Sequence, residues 1–238
     1  MVDGVRREDG PAGSVVLTLD RPRTRNALDL VTVGAILAVV REPVRPVVLR
    51  SADPAVFSSG ADLTVDDAKR RQISDLLYEV YERMVTRPGV VIAVVQGAAV
   101  GGGAQLSAAA DLRVVTAGAR WQWLGVGHGL AVGGWILPHL VGPSVAIDLM
   151  ARQRWMDSKE AVRRGLATEV VDDADARLLE LLESVAAADP GALGRAKALV
   201  TGRYLEGLRL ERQSNAAQWS GSPPRRVSHE PGGTTPTQ

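Results

Sequence analysis

Cysteine is absent from the 238 residues. The chain therefore has no disulfide, no thiolate-bound zinc or iron–sulfur cluster, and no thiol nucleophile. Histidine is scarce: His128, His139 and His229 are the only three, which leaves little for an imidazole-based metal site. Charge of one sign is not in excess, with 28 Lys+Arg against 27 Asp+Glu and a net charge of +1. A broad basic surface for nucleic acid or an anionic membrane is thereby excluded. No apolar run approaches the ~18 residues of a membrane-spanning helix. The first fourteen residues, MVDGVRREDGPAGS, are charged and glycine-rich and do not read as a signal peptide. What remains is a cytoplasmic enzyme or binding protein. Its 45% hydrophobic and 23% charged residues are those of an ordinary globular chain. Its length suits one large domain or two small ones with a real core.

Residues 1–13 read as a loose lead-in. The alternating, β-branched run Ser14–Leu19 predicts a strand, and the polar, proline-containing stretch 20–27 a loop. A helix is predicted over 28–40, a strand over 47–50 and an amphipathic helix over 65–85. Residues 90–95 (VVIAVV) are uniformly apolar, as in a strand covered on both faces. A glycine-rich turn, a helix to about 110 and a strand at 112–116 follow. Residues 118–134 are glycine-rich again. Helices are expected at 142–151, 158–164, 173–188 and 190–219, with a short β segment at Val170-Val171. The tail from 221 has the composition of a disordered segment. The pattern is α/β, with a core domain over 14–190 and a helical region over 191–220.

Two segments carry the chemistry. One is Phe57-Ser-Ser-Gly-Ala-Asp-Leu63; the other is Val95-Gln-Gly-Ala-Ala-Val-Gly-Gly-Gly-Ala-Gln-Leu106. Each follows a predicted strand and opens toward a predicted helix. Successive glycines let a ligand approach the main chain, and a helix start offers unpaired N–H groups. Two such groups aimed at one point form an oxyanion hole. Taken alone, a triple glycine is more often a turn or a packing site. No Lys-Ser or Lys-Thr pair follows it, so a phosphate loop is disfavoured, and the dinucleotide fingerprint is not met.

Taken together, the two segments resemble the motifs F-x-x-G-A-D-L and N-G-x-x-x-G-G-G-x-E-L of the enoyl-CoA hydratase/isomerase (crotonase) family. Residues 19–28 (LDRPRTRNAL) are similar to its first loop, L-x-R-P-x-x-x-N-A-L. Asp111-Leu-Arg-Val-Val115, Leu137–Gly142 and Ala161–Leu166 match later segments, so the likeness spans about 14–205. It implies a crotonase (ClpP-like) fold: a superhelix of stacked β-β-α turns with a helical C-terminal trimerisation region. It also implies an acyl-CoA thioester as ligand, a homotrimer or a hexamer built as a dimer of trimers, and no cofactor besides coenzyme A. By motif position the oxyanion N–H groups belong to Ala61 and Gly102. Ser59, Gly60, Asp62, Leu63 and Gly101 flank them. The first loop would cradle coenzyme A through Asn26 and Ala27, with Arg21, Arg23 and Arg25 suited to phosphate oxygens.

The same resemblance shows what is missing. Hydration of an enoyl thioester needs two carboxylates, one to activate water and one to deliver a proton. The first acid position holds Gln105, and counting from Asp111 the second falls at Gly125. A third, used by some isomerases, falls near Gly133. Glutamine hydrogen-bonds but does not exchange a proton near neutral pH, and glycine at the second position implies empty volume. His128 is the only titratable side chain close by in sequence; it is either a substitute base or a polar loop residue. Trp121, Trp123 and Trp135 either wall an acyl pocket or pack the core. Asp62 is a weaker acid candidate, since that position more often supports its loop. Family members usually continue with a further C-terminal segment, which Ser220–Arg226 replaces here, and Arg225 and Arg226 could meet phosphate.

The reading is an acyl-CoA-binding member of the family, in fatty-acid metabolism, that lacks ordinary hydration. It resembles an actinobacterial hydratase-like subgroup without the glutamates. Two alternatives stay open. One is an active isomerase, thioester hydrolase or hydratase using His128, Asp62 or bound water. The other is a structural subunit of a mixed crotonase oligomer.

Overall fold

The computed structural model describes residues 4–42 and 44–218. One sheet has the order β1-β2-β3-β5-β7, from Val5–Asp9, Val15–Leu19, Val47–Ser51, Val91–Val95 and Leu112–Val115. Its first pair is antiparallel and the rest are parallel. A second sheet, β4-β6-β8-β9, uses Val56–Ser58, Ala98–Val100, Arg120–Gln122 and Met156–Asp157. The helices are α1 (Leu30–Val40), α2 (Asp67–Thr86), α3 (Gly102–Ala109), α4 (Leu137–Val141), α5 (Pro143–Arg152), α6 (Ser158–Arg164), α7 (Ala174–Ala187), α8 (Pro190–Thr201) and α9 (Tyr204–Ala216). Strand, strand and helix therefore recur: β3-β4-α2, then β5-β6-α3. Among the described residues, no helix is long and apolar enough to cross a membrane.

The uniform apolarity of β5 has its reason in the layers. Val91, Ala93 and Val95 face the main core, with α1, α2 and α3. Ile92 and Val94 face a second cluster closed by Leu178 and Leu182 of α7. Covered on both faces, the strand has no polar side to display. Burying each such aliphatic side chain contributes roughly 1.5–3 kcal/mol. Helix starts follow the local chemistry. Asp29 caps α1 by accepting from Thr32 N–H, and Asp66 caps α2 by accepting from Lys69 N–H.

Several expectations are corrected. Residues 5–9 are not a loose lead-in but β1, an edge strand on β2. Val170-Val171 forms no strand; only Val171 N–H reaches Val115 O, at 2.8 Å. The single helix expected over 190–219 is two, broken at Gly202-Arg203. That break turns α9 back onto α2, and Leu208 of α9 is buried in the main core. The expected tail over 221–238, with Arg225 and Arg226, lies outside the described residues.

Candidate active site

Strands β4 and β6 run parallel and adjacent, so the loops that leave them emerge at the same end of the sheet. This brings together two glycine segments about 40 residues apart. Gly60 has φ +92°, and a Cβ there would lie 2.7 Å from Val100 O and 3.2 Å from Gly102 N. Only glycine fits both the angle and the approach. Leu28 N–H donates to Gly60 O at 2.8 Å, and Asp62 N–H donates to Leu28 O at 3.1 Å. This bridge leaves the N–H of Ala61 on the opposite side, as strand alternation requires. Gly101, at φ +51°, precedes α3 as its N-cap, and Gly102 N–H is one of the helix's unpaired first-turn donors. Neither Ala61 N–H nor Gly102 N–H has a backbone acceptor among the described residues. A Cβ on Gly102 would stand 3.4 Å from Ala61 N. Both residues line one cavity of about 70 Å³, and Tyr81 Oη braces the turn by donating to Gly102 O at 3.0 Å.

Gln105 also lines this cavity, one turn into α3, and is 3% exposed. Its Oε1 accepts from Trp135 Nε1 at 2.5 Å, so the amide N–H₂ is what it has left to donate. At Gly125 the expected empty volume is not there. A Cβ on Gly125 would lie 2.3 Å from Val132 Cγ2 and 2.7 Å from Leu130 O. The 125–134 loop itself fills the space around Gly125. Gly133, near the third position, stands against Trp123, whose Cδ1 would be 2.6 Å from a Cβ there. Restoring an acid by Gly125→Glu is therefore expected to overpack the site. We expect a loss of about 1–3 kcal/mol in urea unfolding and no gain in crotonyl-CoA hydration.

The remaining candidates fall into three groups. Asp62 and Leu63 line the cavity, and Asp62 Oδ1 accepts from Thr64 N and Thr64 Oγ1 at 2.8 and 2.7 Å, closing its own turn. Asn26 is buried: its Nδ2 donates to Ser51 Oγ and Phe57 O, and its Oδ1 accepts from Arg21 N–H. Ala27 O accepts from Arg21, and Arg21 also pairs with Asp29 at 2.7 Å, so Arg21 is engaged within the loop. Ser59 Oγ donates to Thr24 O, and Ser59 N–H donates to Arg25 O, which ties the first loop to the oxyanion segment. The side chains of Arg23 and Arg25 are exposed beside it. The tryptophans lie in the core. Trp121 donates to Ser107 Oγ at 2.9 Å, and Trp135 stacks on Tyr81 with centroids 5.8 Å apart. His128 is half-buried and does not line the cavity. Burial, then the Arg70 charge, hold its imidazole below the usual value.

Sequence reasoning missed four cavity-side residues. Tyr78, Tyr81 and Asn215 line the cavity, and Glu211 stands directly behind Tyr78. Glu211 is 5% exposed. Its Oε1 accepts from Tyr78 Oη at 2.9 Å and Gly133 N–H at 3.3 Å, and its Oε2 accepts from Trp135 N–H at 3.0 Å. Burial pushes this carboxyl up to about 7, against the pull of those hydrogen bonds. Asn215 Nδ2 donates to Tyr78 Oη at 2.7 Å and to Ala131 O at 2.6 Å, and its Oδ1 accepts from Ala131 N–H. A signal did exist in the sequence. Leu208, Glu211 and Asn215 share one helical face, which puts a carboxylate on the buried side of α9.

Comparisons with known proteins bear on the family and the fold. The family model described as enoyl-CoA hydratase/isomerase matches residues 9–219. A "Probable enoyl-CoA hydratase" of Rhodobacter capsulatus is 35% identical over 173 residues, covering 68% of this chain and 67% of its own. The "Short-chain-enoyl-CoA hydratase" of Clostridium acetobutylicum is 30% identical, covering 67% and 66%. Among solved structures, an enoyl-CoA hydratase/isomerase from Xanthobacter autotrophicus superposes with a TM-score of 0.82 at 27% identity, over 94% of this chain and 91% of that one. An enoyl-CoA hydratase from Bacillus halodurans, at 23% identity, shares the fold with a TM-score of 0.81 over 92% and 96%. The fold is the crotonase fold, and the chain belongs to the enoyl-CoA hydratase/isomerase family.

Proposed function

We propose that this protein is an acyl-CoA-binding member of its family, acting in cytoplasmic fatty-acid metabolism, that does not perform the ordinary two-carboxylate hydration. The observation that carries the reading is one cavity with two unpaired N–H groups, at Ala61 and Gly102, and a glutamine in the first acid's place. The N–H pair suits a thioester oxygen. Gln105 and the filled volume at Gly125 leave no glutamate pair to activate water. Each general acid or base contributes about 10²–10⁴-fold, so loss of both removes efficient hydration. The exposed Arg23 and Arg25, beside the oxyanion segment, suit the phosphates of coenzyme A. Leu199 and Leu210, 83% and 60% exposed on α8 and α9, suit a subunit contact, in keeping with a trimer or a dimer of trimers.

The test pairs binding with turnover. Purified protein is titrated with crotonyl-CoA and longer enoyl-CoAs by calorimetry, while the absorbance of the conjugated thioester is followed. Saturable binding is expected, with hydration about 10⁴-fold or more below that of an ordinary hydratase assayed alongside. Turnover near the ordinary rate overturns the reading. Absence of binding points to a structural subunit instead.

A further inference from the structure

We propose that Tyr78, backed by Glu211, is the proton-transfer group of the acyl cavity, acting on the α-carbon of a bound thioester. This rests on the thioester-binding reading and adds a reaction to it. The cavity of about 70 Å³ is small, and Tyr78 and Asn215 share its lining with Ala61 and Gly102. A thioester oxygen held by the two N–H groups would therefore share this cavity with the Tyr78 side chain.

The hydrogen bonds around Tyr78 assign each of its positions. Its O–H donates to Glu211 Oε1 at 2.9 Å, and one lone pair accepts from Asn215 Nδ2 at 2.7 Å. The second lone pair is left for a ligand. In the transfer, the α C–H bond breaks and a new O–H bond forms on Tyr78 Oη. The original phenol proton passes to Glu211 Oε1, which becomes a neutral carboxylic acid. The C–H electron pair becomes the enolate, whose negative oxygen sits between the N–H groups of Ala61 and Gly102. The reverse steps restore the thioester, with a solvent proton on carbon once the relay has exchanged with water. No oxidant, metal or second substrate is needed.

Tyr78 is the catalytic residue in this scheme, and Glu211 is a positioning residue that takes the proton through it. The titratable groups facing Glu211 come from α2: Tyr78 and Tyr81 directly, with Arg70 along the cavity wall. The 131–135 segment presents backbone N–H groups, α9 itself presents Asn215, and Arg212 pairs outward with Asp75. Relay by Glu211 requires its carboxylate form, so the rate rises with pH through about 7 and then levels.

The test uses butyryl-CoA, which has no double bond to hydrate, with the full chain in D₂O. Loss of the α-proton signal is followed by NMR, and Kd is measured by calorimetry on the same samples. The wild type is expected to exchange the α-protons with the stated pH profile. Tyr78→Phe and Glu211→Gln are expected to lower the rate about 100-fold or more, and Glu211→Gln to flatten the inflection. Affinity should stay near the wild-type value; Tm is expected to fall in Glu211→Gln, whose amide N–H₂ would face backbone donors, so rates are compared at a temperature where both variants are folded. Tight binding with only background exchange by the wild type overturns this inference and leaves the binding reading standing. Wild-type exchange in both variants overturns it as well. Absence of binding by butyryl-CoA and by the enoyl-CoAs alike overturns both readings.

Discussion

Gly102→Pro is expected to raise the thioester Kd about 5–10-fold and to slow α-proton exchange by about 10²–10³. The substitution removes one N–H and little else. Gly102 is the first residue of α3, where proline is tolerated because that N–H has no helical partner. Gly101, before it, is already outside the α-helical region that proline would forbid, at φ +51° and ψ −116°. A ground-state hydrogen bond contributes about 1 kcal/mol net, hence the modest effect on Kd. The enolate carries a full charge, and losing one oxyanion donor costs about 10²–10³ in rate. Gly102→Ala is the control. Its Cβ would meet Ala61 N and Leu77 Cδ1 at 3.4 Å and Tyr81 Oη at 3.6 Å, so it fits while keeping the N–H. Calorimetry and the exchange assay on both variants separate lost hydrogen bonding from crowding. Equal losses in alanine and proline would assign the effect to crowding and remove Gly102 from the oxyanion pair.

The site was legible in the sequence where its chemistry is local, and illegible where it depends on distant chain. The two glycine segments announce themselves because backbone approach demands glycine, as the contact between Gly60 and Val100 O shows. The expected acid positions are equally local: the resemblance reads them at Gln105 and Gly125. What fills the space around Gly125 is not local. Val132 fills it because Leu130 N–H folds back to Gly125 O, and no periodicity encodes such a loop. Glu211 and Asn215 escape for a related reason. Their buried setting depends on the chain break at Gly202-Arg203, which sends α9 over α2. The fold shows the same division. Strand β5 is plain from its uniform apolarity, whereas β1 hides: of its five residues only Val5 is buried, and the polar remainder reads as a loop.

Lys197→Met is expected to destabilise the fold by about 3–5 kcal/mol, the largest loss anticipated for a residue away from the cavity. Lys197 is a charge placed in the interior, and all three of its protons are used. Nζ donates to Asp111 Oδ2 at 2.7 Å, Met84 O at 2.8 Å and Gly89 O at 3.1 Å. Asp111 Oδ2 also accepts from Val91 N–H at 2.7 Å, so the pair joins α8 to the starts of β5 and β7. Burial pushes the Asp111 carboxyl up and the Lys197 ammonium down despite their mutual attraction. Desolvation therefore outweighs pairing, and the danger lies in removing one partner alone. Methionine fills the space but leaves a buried carboxylate without its cation and Met84 O without a donor, while Gly89 O keeps Arg87 as its partner at 3.1 Å. The folded-state pKa of Asp111 in this variant rises further above its unfolded value. Its deficit is therefore greatest at neutral pH and narrows as pH falls and the carboxyl is protonated. The added change Asp111→Asn removes the stranded charge and should recover part of the loss. Urea unfolding of the two variants at neutral and acidic pH measures both effects. A single-variant loss that does not change with pH, or a double variant weaker than the single, would show that Asp111 is not the source. Since α9 follows directly from α8, the same pair also anchors the helix that brings Glu211 to Tyr78.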